Sequence, residues 1–276
     1  MASKFYLMNE KAVRWPLNSQ EKGIFTDPSG FGVEYDNNYL KVGALWMPNS
    51  SELKQPAPSG NIVFPVKPYE TYQNFMNFIN RATQLVLVYQ PAGLDTEYFA
   101  EVDAVTIQKG GYSIGESLTV PVKFVCKSLF YTEEQFEYKI QKAEREFRWD
   151  FKWDTKFNDS NSVYFVFDND GHVEAPFILS FIGYCLNPEF QVLQNGVELY
   201  HIKLNLEMQN NDRLTFSTFD DDLFIELNGA DRKNLLDFTK QNFFKLPKGQ
   251  TEIYFSCEAG RMNDITMSLE KYYVGV

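Results

Sequence analysis

Alternation of hydrophobic and polar positions predicts β-strands through most of this chain. The pattern is clearest where hydrophobic side chains occupy every second position, at Leu118, Val120, Val122, Phe124 and Cys126. Such spacing places all five side chains on one face of a strand. The run Leu85 to Tyr89 and the β-rich stretch Tyr98 to Ile107 predict two further strands before it.

One segment has the period of a helix instead. Aromatic and aliphatic residues recur on one helical face between positions 69 and 79, at Tyr69, Tyr72, Phe75, Met76 and Ile79. Pro68 precedes them and suits the first position of a helix. The spacing predicts one amphipathic helix whose hydrophobic face packs on a core.

Residues 1–64 carry weaker patterns and are expected to be mostly irregular, with loops at 27–30 and 56–60 and strands at 42–46 and 61–64. Residues 133–146 allow two interpretations. Phe136, Tyr138 and Ile140 alternate as in a strand, whereas Phe136, Ile140 and Ala143 are spaced as in a helix. The strand is favoured, because residues 147–153 also alternate.

The second half predicts an antiparallel sandwich. Val163 to Phe167 and Val173 to Phe181 are expected to pair as a hairpin across Asp168-Asn169-Asp170-Gly171. Further strands are predicted at 189–193, 199–207, 214–218, 223–227, 252–256 and 264–273. Regular turns and scarce helix favour an all-β sandwich or barrel here. The predicted fold class is therefore mainly β, with one helix in an α+β first part.

Composition and charge point to assembly and away from nucleic acid. The 276 residues include 25 Phe, 16 Tyr and 4 Trp, and aromatic side chains are enriched in strands and interface cores. Residues 1–132 carry 11 basic and 12 acidic residues, whereas residues 133–276 carry 15 and 25. A nearly neutral half can self-associate, an acidic half suits solvent, and neither has the basic field of a nucleic-acid binder. Without a membrane-length apolar run or an apolar signal core, the chain is expected to be soluble and made in a cytoplasm.

The motif Gly111-Tyr112-Ser113-Ile114-Gly115 matches the nucleophile elbow of serine hydrolases. Asp168 or Asp170, and then His201, even follow Ser113 in hydrolase order. However, a nucleophile elbow needs a helix directly after the serine, and here the alternating strand from Leu118 follows. We therefore expect Ser113 to be inert and the protein not to be an enzyme.

No metal or cofactor site is predicted. The opening Asp168-Asn169-Asp170-Gly171 resembles a calcium loop but lacks the glutamate at the twelfth position, so a solvated turn is favoured. Asp220-Asp221-Asp222 is a like-charge cluster between strands, and its carboxylates are expected to alternate across a strand or to splay in a turn rather than to bind a cation. His172 and His201 are too few for a multi-histidine centre. Cys126, Cys185 and Cys257 are expected to be reduced, buried thiols. Carboxylate pairs for glycoside cleavage stay open, and Trp149 and Trp153 are assigned to packing rather than to sugar stacking.

Several segments together resemble the distal tail protein (Dit) family of long-tailed bacteriophages. In the first part they are the helix 69–79, the strand 85–89, Lys109-Gly110-Gly111 and residues 118–130. In the second part they are residues 169–176, 182–188, 243–249 and 253–255. Gln250-Thr251 departs from the family pattern, which has Asn two positions after the glycine that corresponds to Gly249.

The resemblance implies a ring-forming (belt) domain at 1–132 and a galectin-like β-sandwich at 133–276. It implies a hexameric ring, or two stacked rings, that joins the tail tube to the tail tip or baseplate and holds receptor-binding proteins. The expected partners are further copies of the chain, the tail tube protein, the tip or hub protein and the receptor-binding protein, without membrane insertion or specific nucleic-acid binding. The family has no catalytic, cofactor or metal residues to carry over, and the expected location is the virion tail tip after assembly in the host cytoplasm.

Two other classes remain as alternatives: a stand-alone carbohydrate-binding module for cell-wall polysaccharide and a tail-associated hydrolase. Oligomeric state separates the first from a ring component, and a hydrolysis assay separates the second.

Overall fold

The computed structural model describes residues 3–109, 117–139, 162–236 and 243–276. Their contacts divide the chain into two compact units, Met1–Thr132 with Tyr272–Val276 and Glu133–Lys271. Within the described ranges, no helix has the length and apolarity that crossing a membrane requires.

The first unit is a set of antiparallel strands and one helix. Its elements are β1 (Lys4–Asn9), β2 (Arg14–Pro16), β3 (Asn18–Ser19), β4 (Gly23–Ser29), β5 (Glu34–Val42), β6 (Leu45–Lys54), β7 (Ser59–Phe64), α1 (Pro68–Arg81), β8 (Leu85–Gln90), β9 (Tyr98–Ile107), β10 (Leu118–Cys126) and the start of β11 (Phe130–Lys139). The main sheet runs β9-β10-β7-β4-β3, and β8, β1 and β2 extend it beyond β9. The predicted helix is confirmed, and so are the strands at 61–64, 85–89, 98–107 and 118–126.

Helix α1 covers the core of the first unit through its predicted hydrophobic face. Phe75 is fully buried, and its ring lies 5.7 Å from those of Trp15 and Phe64. Pro68 occupies the first turn as expected, where its missing N–H is not needed. The carboxyl-terminal residues complete the unit, because the Val276 N–H donates to the carbonyl of Phe31 and the Tyr273 ring packs edge-on against Tyr98.

The expectation that residues 1–64 are mostly irregular is wrong, since they form seven strands. The expected strand at 42–46 is also wrong. Val42 ends β5, Leu45 begins β6, and Gly43-Ala44 is the turn between them, with Gly43 at φ 64°. Glycine with positive φ at the first turn position suits a two-residue hairpin.

The second unit contains two sheets. Its elements after β11 are β12 (Ser162–Asn169), β13 (Phe177–Leu186), β14 (Glu189–Gln194), β15 (Val197–Lys203), β16 (Glu207–Met208), β17 (Arg213–Phe219), β18 (Asp222–Leu227), β19 (Ala230–Asp231), the 3-10 helix Lys233–Leu235, β20 (Gly249–Ser256) and β21 (Ala259–Tyr273). One sheet contains β19-β18-β17-β13-β21, with β16 on β13, and the other is β12-β20-β14-β15. Both contribute to one aromatic core that includes Phe177, Phe181, Phe190, Phe216 and Phe255. The mainly β fold class is confirmed.

The expected hairpin between 163–167 and 173–181 is wrong, although both strands exist. β12 pairs with β20, whereas β13 pairs with β17 and β21. Residues 170–176 connect one sheet to the other, and Ala175 forms an isolated bridge with Leu246 on the way. Asp168-Asn169-Asp170-Gly171 therefore begins a connection between the two sheets and not a hairpin turn within one sheet.

The strand interpretation of residues 133–146 is confirmed as far as Lys139, where β11 ends. Ile140, Ala143, the alternating residues 147–153 with Trp149 and Trp153, and the Ser113 motif lie outside the described residues.

Candidate assembly surface

The hairpin of β5 and β6 forms a two-stranded sheet of its own within the described residues. Every residue of β5 is exposed, so the hairpin contributes no side chain of this strand to the core. Its large hydrophobic side chains are among the most exposed in the protein, with Leu45 at 70%, Trp46 at 65% and Tyr35 at 61%. In a strand that packs only within its own domain, large hydrophobic side chains are normally buried.

Cross-strand register sorts the hairpin side chains onto two faces. On one face the base is charged, with Asp36 paired to Lys54, and the tip is hydrophobic. The hydrophobic tip consists of Leu40, Val42, Leu45 and Met47, and we call these four residues the apolar tip. The opposite face carries Tyr39 and Trp46, and the Lys41 ammonium lies 5.8 Å from the centre of the Trp46 ring. The first face thus separates a hydrophobic tip from a charged base, whereas the second mixes aromatic rings with an ammonium group at the tip itself.

Such a hairpin gains stability by being covered. An isolated two-stranded hairpin is marginally stable in water at best. Burying one aliphatic side chain contributes roughly 1.5–3 kcal/mol, and the four residues of the apolar tip are all more than half exposed. Clustered exposed hydrophobic residues rimmed by polar ones typically mark interaction sites. The arrangement is therefore suited to contact with another protein chain.

Sequence reasoning missed this surface. It assigned assembly to residues 1–132 as a whole, from charge and resemblance, and treated 42–46 as one strand. The available signal was the Gly43-Ala44 turn between two stretches that each contain alternating hydrophobic residues.

The hydrolase candidates do not come together where the structure describes them. Asp168 lies on β12 and His201 on β15, at opposite ends of the sheet order β12-β20-β14-β15. Three strand spacings of about 4.8 Å put these strands about 14 Å apart, too far for a carboxylate to orient an imidazole. Asp170 instead forms an ion pair with Lys271, whose Nζ lies 3.0 Å from the Asp170 Oδ1.

His201 belongs to a charged network on the outer side of that sheet. Its ring nitrogens lie 3.7 Å from a Glu189 oxygen and 3.6 Å from a Glu198 oxygen. The Lys203 ammonium bridges Glu189 at 2.8 Å and Glu258 at 3.0 Å. Hydrogen bonds from Lys203 to both carboxylates raise the pKa of Lys203, and hydrogen bonds from Asn187 and Lys203 lower the pKa of Glu258. The two ion pairs of Lys203 connect β14, β15 and the residue that follows Cys257.

The acidic clusters are likewise engaged. Asp220 of the Asp220-Asp221-Asp222 turn pairs with Lys245, and the described part of the chain holds no group of three or more metal-ligating side chains. His172 directly follows the Asp168–Gly171 turn. It belongs to no group of metal-ligating side chains with His201 among the described residues.

Comparison with known proteins finds a matching family model and similar solved structures. Residues 4–127 match the model of the distal tail protein N-terminal domain. A chain of the phage P2 baseplate in its activated conformation is similar over 100% of both chains, with a TM-score of 0.62 and 16% identity. The Dit protein of phage SPP1, described as a paradigm of the hub adsorption apparatus in phages that infect Gram-positive bacteria, matches 97% of this chain and 98% of its own, with a TM-score of 0.60 and 11% identity. No curated protein sequence matches significantly.

Residues 4–127 therefore form a distal tail protein N-terminal domain, which confirms the resemblance identified from the sequence. A structural role in the phage tail follows from that assignment. The two structural matches, at their low identities, extend the likeness in fold to the whole chain.

Proposed function

We propose that this protein forms a ring of six copies that joins the tail tube to the tail tip or baseplate. The observation that carries the proposal is the β5–β6 hairpin, whose apolar tip is exposed and has no core of its own. In a ring the hairpin of each copy packs on the next copy, and this buries Leu40, Val42, Leu45 and Met47. The role is structural and needs no catalytic residue.

The charge distribution supports a division of labour between the two parts of the chain. Residues 1–132 carry 11 basic and 12 acidic residues, so repeated copies pack without strong repulsion. Residues 133–276 carry 15 basic and 25 acidic residues, and their charge is better screened outside a ring. We assign ring formation to the first part and capture of host-recognition proteins to the second, at the tail tip of a virion assembled in the host cytoplasm.

The test is the mass of the intact protein in solution, compared between two matched substitutions. Light scattering of the wild type should give about six times the 32.1 kDa of one chain, or twice that for two stacked rings. Leu45→Asp places a charge in the apolar tip and should shift the protein to a monomer with an unchanged circular dichroism spectrum. Val197→Asp is the control, because Val197 is also an exposed strand residue, at 61%, but lies in the second unit.

A Leu45→Asp ring as stable as that of the wild type would refute the hairpin as the assembly surface. A wild-type monomer both at high concentration and within assembled tails would refute the ring itself and favour a stand-alone binding module.

A further inference from the structure

Two of the three cysteines are brought together in the second unit, one on a strand and the other in the short link between β20 and β21. Cys185 lies on β13, and Cys257 directly follows β20. Both side chains are buried, and neither is part of a disulfide. They are 72 positions apart in sequence, so only the fold makes them neighbours.

Backbone contacts fix the approach of the two residues. Gly260 is the cross-strand partner of Cys185, and a Cβ atom at Gly260 would lie 2.9 Å from the Cys185 Cα and 3.1 Å from the Cys257 Sγ. The Cys257 Sγ and the Cys185 Cα therefore lie beside the same glycine and at most 6.0 Å apart, which is the sum of these two distances. The Glu258 N–H donates to the Leu186 carbonyl at 3.0 Å, which holds the residue after Cys257 against the residue after Cys185.

A hydrogen bond also joins the two thiols. The Cys185 thiol donates a hydrogen bond to the Cys257 sulfur; this raises the pKa of Cys185 and lowers that of Cys257. For the half-buried Cys126, burial raises the pKa to about 11. Cys257 is the more exposed of the pair, at 8% against 0% for Cys185, so a small oxidant reaches the Cys257 thiol first.

We propose that Cys185 and Cys257 are a built-in disulfide site that closes when the folded protein meets a small oxidant such as hydrogen peroxide. The Cys257 thiolate attacks a peroxide oxygen, which gives a sulfenic acid and releases hydroxide that takes up a proton as water. The Cys185 thiol then attacks that sulfur, its proton leaves with the hydroxyl group as a second water, and the S–S bond forms. The two thiols lose two electrons, and the peroxide gains them.

The bond would fasten the link between β20 and β21 to β13. In the reducing cytoplasm where the chain folds, both thiols remain reduced. After release, oxidation would close a loop of more than seventy residues, and a loop of that length restricts the unfolded chain strongly. We expect the melting temperature of the second unit to rise by on the order of 10 °C.

The experiment treats the full chain with hydrogen peroxide and then counts thiols in denaturant. The wild type should fall from three titratable thiols to one, and peptide mapping should find Cys185 linked to Cys257. Cys126→Ser is the matched control and should fall from two thiols to none, with the same rise in melting temperature. Cys185→Ser and Cys257→Ser should show no such rise.

The proposal does not depend on the serine variants at positions 185 and 257 folding well, because the peptide map of wild type and Cys126→Ser decides it. Three thiols that stay titratable after oxidation would overturn it. Oxidation to sulfinic acid on single cysteines, or linkage through Cys126, would overturn it as well.

Discussion

Asn169 shows how one buried side chain connects distant parts of the second unit. It is 1% exposed. Its amide nitrogen donates to the carbonyls of Val173 at 3.0 Å and Leu246 at 3.3 Å, and its oxygen accepts the Gly171 N–H at 3.0 Å. The turn was predictable from the local residues Asp168 to Gly171. The bond to Leu246 was not, because its partner lies 77 positions away and nothing in the local pattern refers to it.

Replacing Asn169 with alanine should destabilise the protein by about 1–3 kcal/mol, because it removes the side-chain partners of the Gly171 N–H and of the Val173 carbonyl. Asn169→Asp keeps the acceptor for Gly171 but places a buried carboxylate against the carbonyls of Val173 and Leu246, and should be at least as destabilising as Asn169→Ala. Urea unfolding measures all three. Gln84→Ala is the control, since exposed Gln84 lies outside the β5–β6 hairpin, donates one side-chain hydrogen bond to Glu101 and should change stability by less than about 0.5 kcal/mol. Equal stabilities for Asn169→Ala and Gln84→Ala would contradict this account.

At the level of elements, burial decides which strands were predictable. β8, β9 and β10 lie in a sheet with a buried face, so their hydrophobic periods match their bounds closely. All residues of β5 and the described side chains of β6 are exposed, so no buried face of these strands sets a hydrophobic period along their sequence. The same holds for the candidate assembly surface. The sequence predicted that residues 1–132 mediate assembly, but it did not predict the β5–β6 hairpin.

Lys271 connects three elements of the second unit. It lies on β21, is 7% exposed, and contacts Glu134 of β11 at 2.7 Å and Asp170 after β12 at 3.0 Å. The ammonium also lies 5.4 Å from the centre of the Phe167 ring. Burial alone would lower the pKa of Lys271, but the hydrogen bonds and negative charges of Glu134 and Asp170 outweigh it and raise the pKa above its ordinary value.

A raised pKa in the folded state means that this ammonium stabilises the fold fully below the pKa of an unfolded lysine, about 10.4. That contribution is lost as the pH rises through the higher folded value. Lys271→Arg keeps its charge throughout this range. The free energy of unfolding, measured in urea from pH 8 to pH 12, should therefore fall more steeply for wild type than for Lys271→Arg. Parallel curves for the two proteins would show that Lys271 does not bind its carboxylates as described.

At the scale of the whole molecule, the two units carry different charge and, in the proposed ring, different duties. The first unit includes Tyr272–Val276, whose sequence position gave no sign of this. The ring of Tyr272 lies 6.0 Å from that of Tyr131, so a short Gly-Ser linker can join Thr132 to Tyr272 and replace everything between them. The shortened chain would contain every described element of the first unit, including the β5–β6 hairpin.

We expect the shortened chain to assemble into rings and residues 133–271 alone to stay monomeric while capturing the neighbouring baseplate or receptor-binding protein. The reason is that the apolar tip and the near-neutral charge both belong to the first unit, whereas the excess of acidic residues belongs to the second. Light scattering of each fragment measures this, and Leu45→Asp in the shortened chain is the control that should abolish its rings. A monomeric first unit beside a self-associating second unit would reverse the assignment. Tight binding of DNA by the full ring at physiological salt would contradict its role in the tail, because a conduit that grips phosphates would impede DNA passage.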